Sequence, residues 1–136
     1  MLKGLNFGQN QLNRLSHYCL EDLSNLERLS AHDNAIEILK DGVFDGLKLK
    51  ALDLSMNSIS AIDSPVPATS PKSKSVTNTQ LCRLATLTEL NLNKNRLARL
   101  PNNCFTNLTN LVRFTLTDNV IETLQNGVFD LSLIHI

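Results

Sequence analysis

The chain has 136 residues, 42% of them apolar and 4% aromatic, and no Trp. Its 13 Lys and Arg balance 13 Asp and Glu, which gives no sign of the broad basic field of a dedicated nucleic-acid binder or of a polybasic membrane anchor. Of the 136 residues 26 are Leu and 16 are Asn, a composition that suits a stacked repeat cast from one core residue better than a compact enzyme.

The chain opens Met1-Leu2-Lys3-Gly4-Leu5-Asn6, without the long apolar stretch of a secretory signal peptide. No later run approaches the roughly 18 apolar residues of a membrane span, so no membrane contact by this segment itself is expected. From Leu2 onward one spacing recurs, L-x-x-L-x-L-x-x-N-x-L-x-x-L. The first copy reads Leu2, Leu5, Phe7, Asn10, Leu12, Leu15, and the second Leu26, Leu29, Ala31, Asn34, Ile36, Leu39. The third is Leu49, Leu52, Leu54, Asn57, Ile59, Ile62. The fourth is Leu87, Leu90, Leu92, Asn95, Leu97, Leu100, and the fifth Leu111, Phe114, Leu116, Asn119, Ile121, Leu124. An apolar pair three apart closes each unit: Leu20/Leu23, Phe44/Leu47, Leu81/Leu84, Phe105/Leu108, with Phe129 starting another.

Each position has a physical reason. The x-L-x-L-x segment alternates at period two, so it predicts a short strand with leucines inward and the x residues outward. Stacked copies then form a parallel sheet. The Asn, where the chain leaves the strand, can bond the backbone of its own turn and of the next copy, satisfying peptide groups that stacking buries. Asn10, Asn34, Asn57, Asn95 and Asn119 are therefore read as a structural ladder. The column of Phe44, Phe105 and Phe129, filled in by Leu20 and Leu81, packs the convex side. Asp41-Gly42, Asp45-Gly46 and Asn126-Gly127 mark turns, whereas Gly4 and Gly8 are expected only to relax the first strand.

Copies start 24, 23, 38 and 24 residues apart, so the long step carries an insertion at 63–78. That stretch holds three of the four prolines and much Ser and Thr, and is expected to be an exposed, mobile loop, either a tolerated insertion or a functional or processed one. The array is assigned to residues 1–130, because the register breaks after Asp130. Residues 131–136, Leu-Ser-Leu-Ile-His-Ile, resemble one reading frame of a transposon end used in DNA library preparation. They are expected to be an artefact in front of a longer natural protein. Neither end carries a Cys-rich cap, so a fragment is expected.

Catalysis finds little footing: there is no G-x-S-x-G, H-E-x-x-H, phosphate loop or spaced Cys/His set. No cofactor and no metal are expected. Cys19 and Cys104 occupy the repeat position of Val43 and Val128 and are read as small buried hydrophobes, while Cys82 follows the convex column. Binding is the better reading, because outward strand residues of successive copies align into one surface. The candidate ligand-binding face is Arg28, Ser30, His32, Asp33, Glu89, Asn91, Lys94, Arg113, Thr115 and Asp118, with Arg28 and Arg113 as the best anchors. Asn107-Leu108-Thr109 is an N-glycosylation sequon on the convex half of the fourth copy.

The spacing is that of the leucine-rich repeat, and the resemblance runs from Leu2 to Asp130. It implies an α/β-type repeat solenoid: a horseshoe arc with a short-stranded parallel sheet on its concave face and a mostly irregular or short-helical convex side. The 24-residue form with a Phe column resembles the "typical" subtype of extracellular animal proteins. The insertion followed by Leu81-Cys82-Arg83-Leu84-Ala85-Thr86-Leu87 is similar to arthropod Toll-type receptors, although the Phe that often precedes that Cys is missing. The resemblance implies non-enzymatic recognition at the cell surface by a receptor ectodomain in innate immunity or development. Its partner would be a protein ligand or partner receptor chain and not nucleic acid. The alternative is a secreted adhesive or matrix protein with the same repeats and no signalling.

Overall fold

The computed structural model describes residues 1–39, 42–62, 80–100 and 105–124. The insertion at 63–78, Lys40-Asp41, Cys104, Asn126-Gly127, Phe129 and the tail at 131–136 lie outside the described residues.

Five strands form one parallel sheet in sequence order: β1 (Gly4–Asn6), β2 (Arg28–Ser30), β3 (Ala51–Asp53), β4 (Glu89–Asn91) and β5 (Arg113–Thr115). Each is three residues long and takes the expected alternation, because only the central residue belongs to the apolar repeat. Leu29, Leu52 and Leu90 are each 2% exposed, and Phe114 is 7% exposed at the same position of β5. Leu5 in β1, the edge strand of the described sheet, is half-buried. Pairing runs Gly4↔Arg28↔Ala51↔Glu89↔Arg113 along the first outward column. The second column is Asn6↔Ser30↔Asp53↔Asn91↔Thr115.

The return path is short and carries no α-helix among the described residues. Turns of 3-10 type cover His17–Cys19, Gln80–Arg83 and Phe105–Asn107. In the second copy, Gly42 and Gly46 turn instead, with φ of 81° and 78°. These segments drop the convex column into the core: Leu20 and Phe105 are 1% exposed, Phe44 is 2% and Leu81 is fully covered. Phe105 meets Phe114 edge to face, ring centroids 4.8 Å apart at 77°, so the convex column and the sheet close on one another.

The Asn ladder stitches the copies together, and it runs backward. Asn57 Oδ1 accepts the Ile36 N–H at 3.0 Å, and Asn95 Oδ1 accepts the Ile59 N–H at 3.0 Å. Asn34 and Asn119 do the same for Leu12 and Leu97, at 3.0 and 3.1 Å. Each acceptor bond therefore reaches the preceding copy, not the next one. The Nδ2 atoms add a second link: the Leu54 carbonyl accepts from Asn57 at 3.1 Å and from Asn95 at 2.9 Å. The Ala31 and Leu92 carbonyls are likewise shared by the Asn of their own and the following copy. Two orphan carbonyl lone pairs and one orphan N–H are satisfied per step, the accounting that a buried irregular backbone requires.

Three local features correct the reading of the sequence. Gly8 does more than relax a strand: a Cβ there would run into the imidazole of His32. Cys19 is exposed, whereas Val43 is 1% exposed. The two positions align in sequence but not in backbone, since Cys19 ends a 3-10 turn and Val43 follows a left-handed Gly42. Finally, the residue before each ladder Asn is left-handed. Gln9, Asp33, Met56, Lys94 and Asp118 have φ of 60°, 54°, 56°, 56° and 57°. That kink steers the chain out of the sheet and aims the Asn amide back into the stack. Only Asp33 and Asp118 are of a type enriched there, so residue type announces the kink in two copies of the five.

Candidate functional site on the concave sheet

The outward columns of the five strands frame an open hollow of about 580 Å³, floored by the sheet backbone. Arg28, Ser30, Glu89, Asn91, Arg113 and Thr115 of the candidate set line it. His32, Asp33, Lys94 and Asp118 do not; they stand on the rim, where the chain leaves the sheet. The register continues past the strands into this rim. Gln9 N–H donates to the His32 carbonyl, Asp33 N–H to Ser55, Met56 N–H to Asn93 and Lys94 N–H to Thr117, at 2.8–3.0 Å.

Several polar groups on this face are already engaged within the fold. Asn6, Asp53 and Asn91 each accept the N–H two residues on through Oδ1, at 2.7, 3.0 and 3.0 Å, which shapes the exit from their strands. Asn91 Oδ1 also accepts the Thr115 hydroxyl at 3.0 Å, and Asp53 Oδ1 the Ser55 hydroxyl at 2.6 Å. The Ser30 hydroxyl and His32 Nδ1 lie 2.8 Å apart. These bonds commit Ser30, His32, Asn91 and Thr115 to holding the surface rather than to reaching out of it.

The charges behave differently. Arg28, Glu89 and Arg113 are exposed, and they make no ion pair with any described residue. Lys50 and Glu27, just outside the sheet, do pair at 3.5 Å. Arg28 stands between the two smallest residues of its column, Gly4 and Ala51. A Cβ built on Gly4 would meet nothing within 4 Å, so the guanidinium has open space beside it. Gly4, Ala51 and Asp53 also line the hollow, though the candidate set leaves them out. Their places in the strand columns, read from the repeat, already put them on this face. Among the described residues no group of three His, Cys, Asp or Glu is placed to hold a metal ion. No described helix is long and apolar enough to cross a membrane. Asn107 is exposed on the convex side, at the end of its 3-10 turn.

A family model described as leucine rich repeat matches residues 85–132, and one described as BspA type leucine rich repeat region matches residues 2–66. No curated protein matches the chain. Among solved structures, a chain of the TLR13–ssRNA13 complex aligns with TM-score 0.81 and 24% identity, over 98% of this chain and 17% of that one. A chain in the octameric complex of Latrophilin 3 (Lec, Olf), Unc5D (Ig, Ig2, TSP1) and FLRT2 (LRR) aligns with TM-score 0.73 and 28% identity, over 93% of this chain and 35% of that one. The Leptospira interrogans LRR protein LIC12759 aligns with TM-score 0.57 and 24% identity, over 98% of this chain and 37% of that one. This chain thus spans well under half the length of each of these neighbours. Repeat spacing, sheet register, the backward Asn ladder and both family models agree: the chain belongs to the leucine-rich repeat family.

Proposed function

We propose that this chain is the recognition segment of an extracellular leucine-rich repeat ectodomain, non-enzymatic, part of a cell-surface receptor of the Toll type. It docks a protein ligand or a partner receptor chain on its concave sheet. The observation that carries the reading is the row of exposed charges, Arg28, Glu89 and Arg113, which form no ion pair among the described residues and stand in register over an open hollow. Fold likeness to chains in the TLR13 and FLRT2 complexes supports an ectodomain, and the exposed sequon at Asn107 suits the secretory pathway.

The test has two arms. Expressed behind a secretory leader in animal cells, the chain should carry one glycan at Asn107, lost in Asn107→Gln; secretion without any glycan would count against an extracellular life. The natural transcript beyond Asp130 should encode an apolar span of roughly 20 residues and then a signalling domain. A stop codon directly after the repeats would decide for a secreted adhesive or matrix protein instead.

A further inference from the structure

The concave hollow has a charge pattern specific enough to name the chemistry of its occupant. This step rests on the reading of that face as a recognition surface. Along the first column, from β2 to β5, the side chains are Arg28, Ala51, Glu89 and Arg113: cation, gap, anion, cation. Asp53 stands on the same strand as the gap and adds a second carboxylate beside it. Its Oδ1 is taken by Ser55, which fixes the carboxylate at the edge of the hollow.

We propose that the hollow takes an extended peptide laid across the strands with an acidic-x-basic-x-acidic sequence. The spacing argues for it. Adjacent strands are about 4.8 Å apart, so Arg28 and Arg113, three strands apart, are separated by roughly 14 Å. An extended chain rises about 3.3 Å per residue and shows alternate side chains on one face. Its acidic residues at i and i+4 then span roughly 13 Å and meet the two guanidinium groups. The residue at i+2 falls about 6.6 Å along, between β3 and β4, over the dent left by Ala51 and between Asp53 and Glu89. A Lys or Arg there meets two carboxylates. The inverted pattern would set like charge on like charge at all three positions. A nucleic-acid strand, with phosphate at every step, would meet Asp53 and Glu89 in the middle of its path.

The probe is the heptapeptide Ser-Glu-Ser-Lys-Ser-Glu-Ser, titrated into the full chain labelled with nitrogen-15. Amides of β2 to β5 should shift, and Arg28→Ala or Arg113→Ala should each weaken binding about three-fold, the scale of one exposed ion pair. The charge-inverted peptide Ser-Lys-Ser-Glu-Ser-Lys-Ser should leave those amides unmoved. Arg28→Glu with Glu89→Lys and Arg113→Glu should reverse the preference; should that variant fail to fold, the single Ala variants decide. Equal response to the two peptides, response to neither, or displacement of the peptide's shifts by single-stranded oligouridylate would overturn the proposal. The glycan and transcript tests do not involve this peptide, so its failure leaves the ectodomain reading standing or falling on its own evidence.

Discussion

Replacing Asn95 by Ala removes four hydrogen bonds at a site 6% exposed. They are not equal losses. The Leu54 carbonyl keeps its bond from Asn57 and the Leu92 carbonyl keeps its bond from Asn119, so these acceptors stay partly satisfied. The Ile59 N–H, by contrast, loses its partner in a buried setting. One orphaned buried donor costs about 1–3 kcal/mol, and the weakened carbonyl links place the expected loss in the upper half of that range. The loss falls on the junction between the third and fourth copies, so neighbouring copies should loosen with it. Asn10 is the internal control. It is exposed, and its Nδ2 bonds only the Phe7 and Gly8 carbonyls of its own copy, at 2.8 and 3.1 Å. Asn10→Ala should cost no more than about 1 kcal/mol, because water replaces what is lost. Urea midpoints for the two variants measure the difference, and amide exchange at Ile59 locates it. Equal destabilisation by the two substitutions, or an Ile59 amide as protected as before, would refute the ladder as the source of inter-copy stability.

Arg113→Ala, on the exposed sheet face, should change stability by about 0.5 kcal/mol or less, measured in the same urea series. Phe105→Ala should cost about 3–5 kcal/mol, because it empties a core site and removes the edge contact with Phe114. Gly8→Ala should destabilise by about 1 kcal/mol or more by displacing His32 from Ser30, and should become nearly neutral in a His32→Ala background; a double-mutant cycle reads the coupling. At Lys94, φ of 56° favours Asn over a β-branched residue, so Lys94→Asn should exceed Lys94→Val in stability by about 1 kcal/mol or more.

How the repeat becomes a fold was legible because the same physics is written five times. A strand of three residues carries almost no propensity signal by itself. The motif shared around Leu29, Leu52 and Leu90, copies 23 and 38 residues apart, nonetheless sets both the inward face and the register, since copies can stack only with like positions opposed. The outward columns follow from that register, which is why Arg28 and Arg113 could be named from the sequence. What the sequence could not state is what each outward side chain does with its neighbours. Asn91 and Thr115 turn to one another, Ser30 turns to His32, and Asp53 to Ser55, while Arg28, Glu89 and Arg113 find no ion-pair partner among the described residues. The direction of the Asn ladder, the exposure of Cys19 and the room that Gly8 leaves for His32 belong to the same class. Periodicity determines which face a residue occupies, because that depends on its position in the repeat alone. Bonding and exposure depend on distances of a few ångströms between different copies, and those exist only once the copies are stacked.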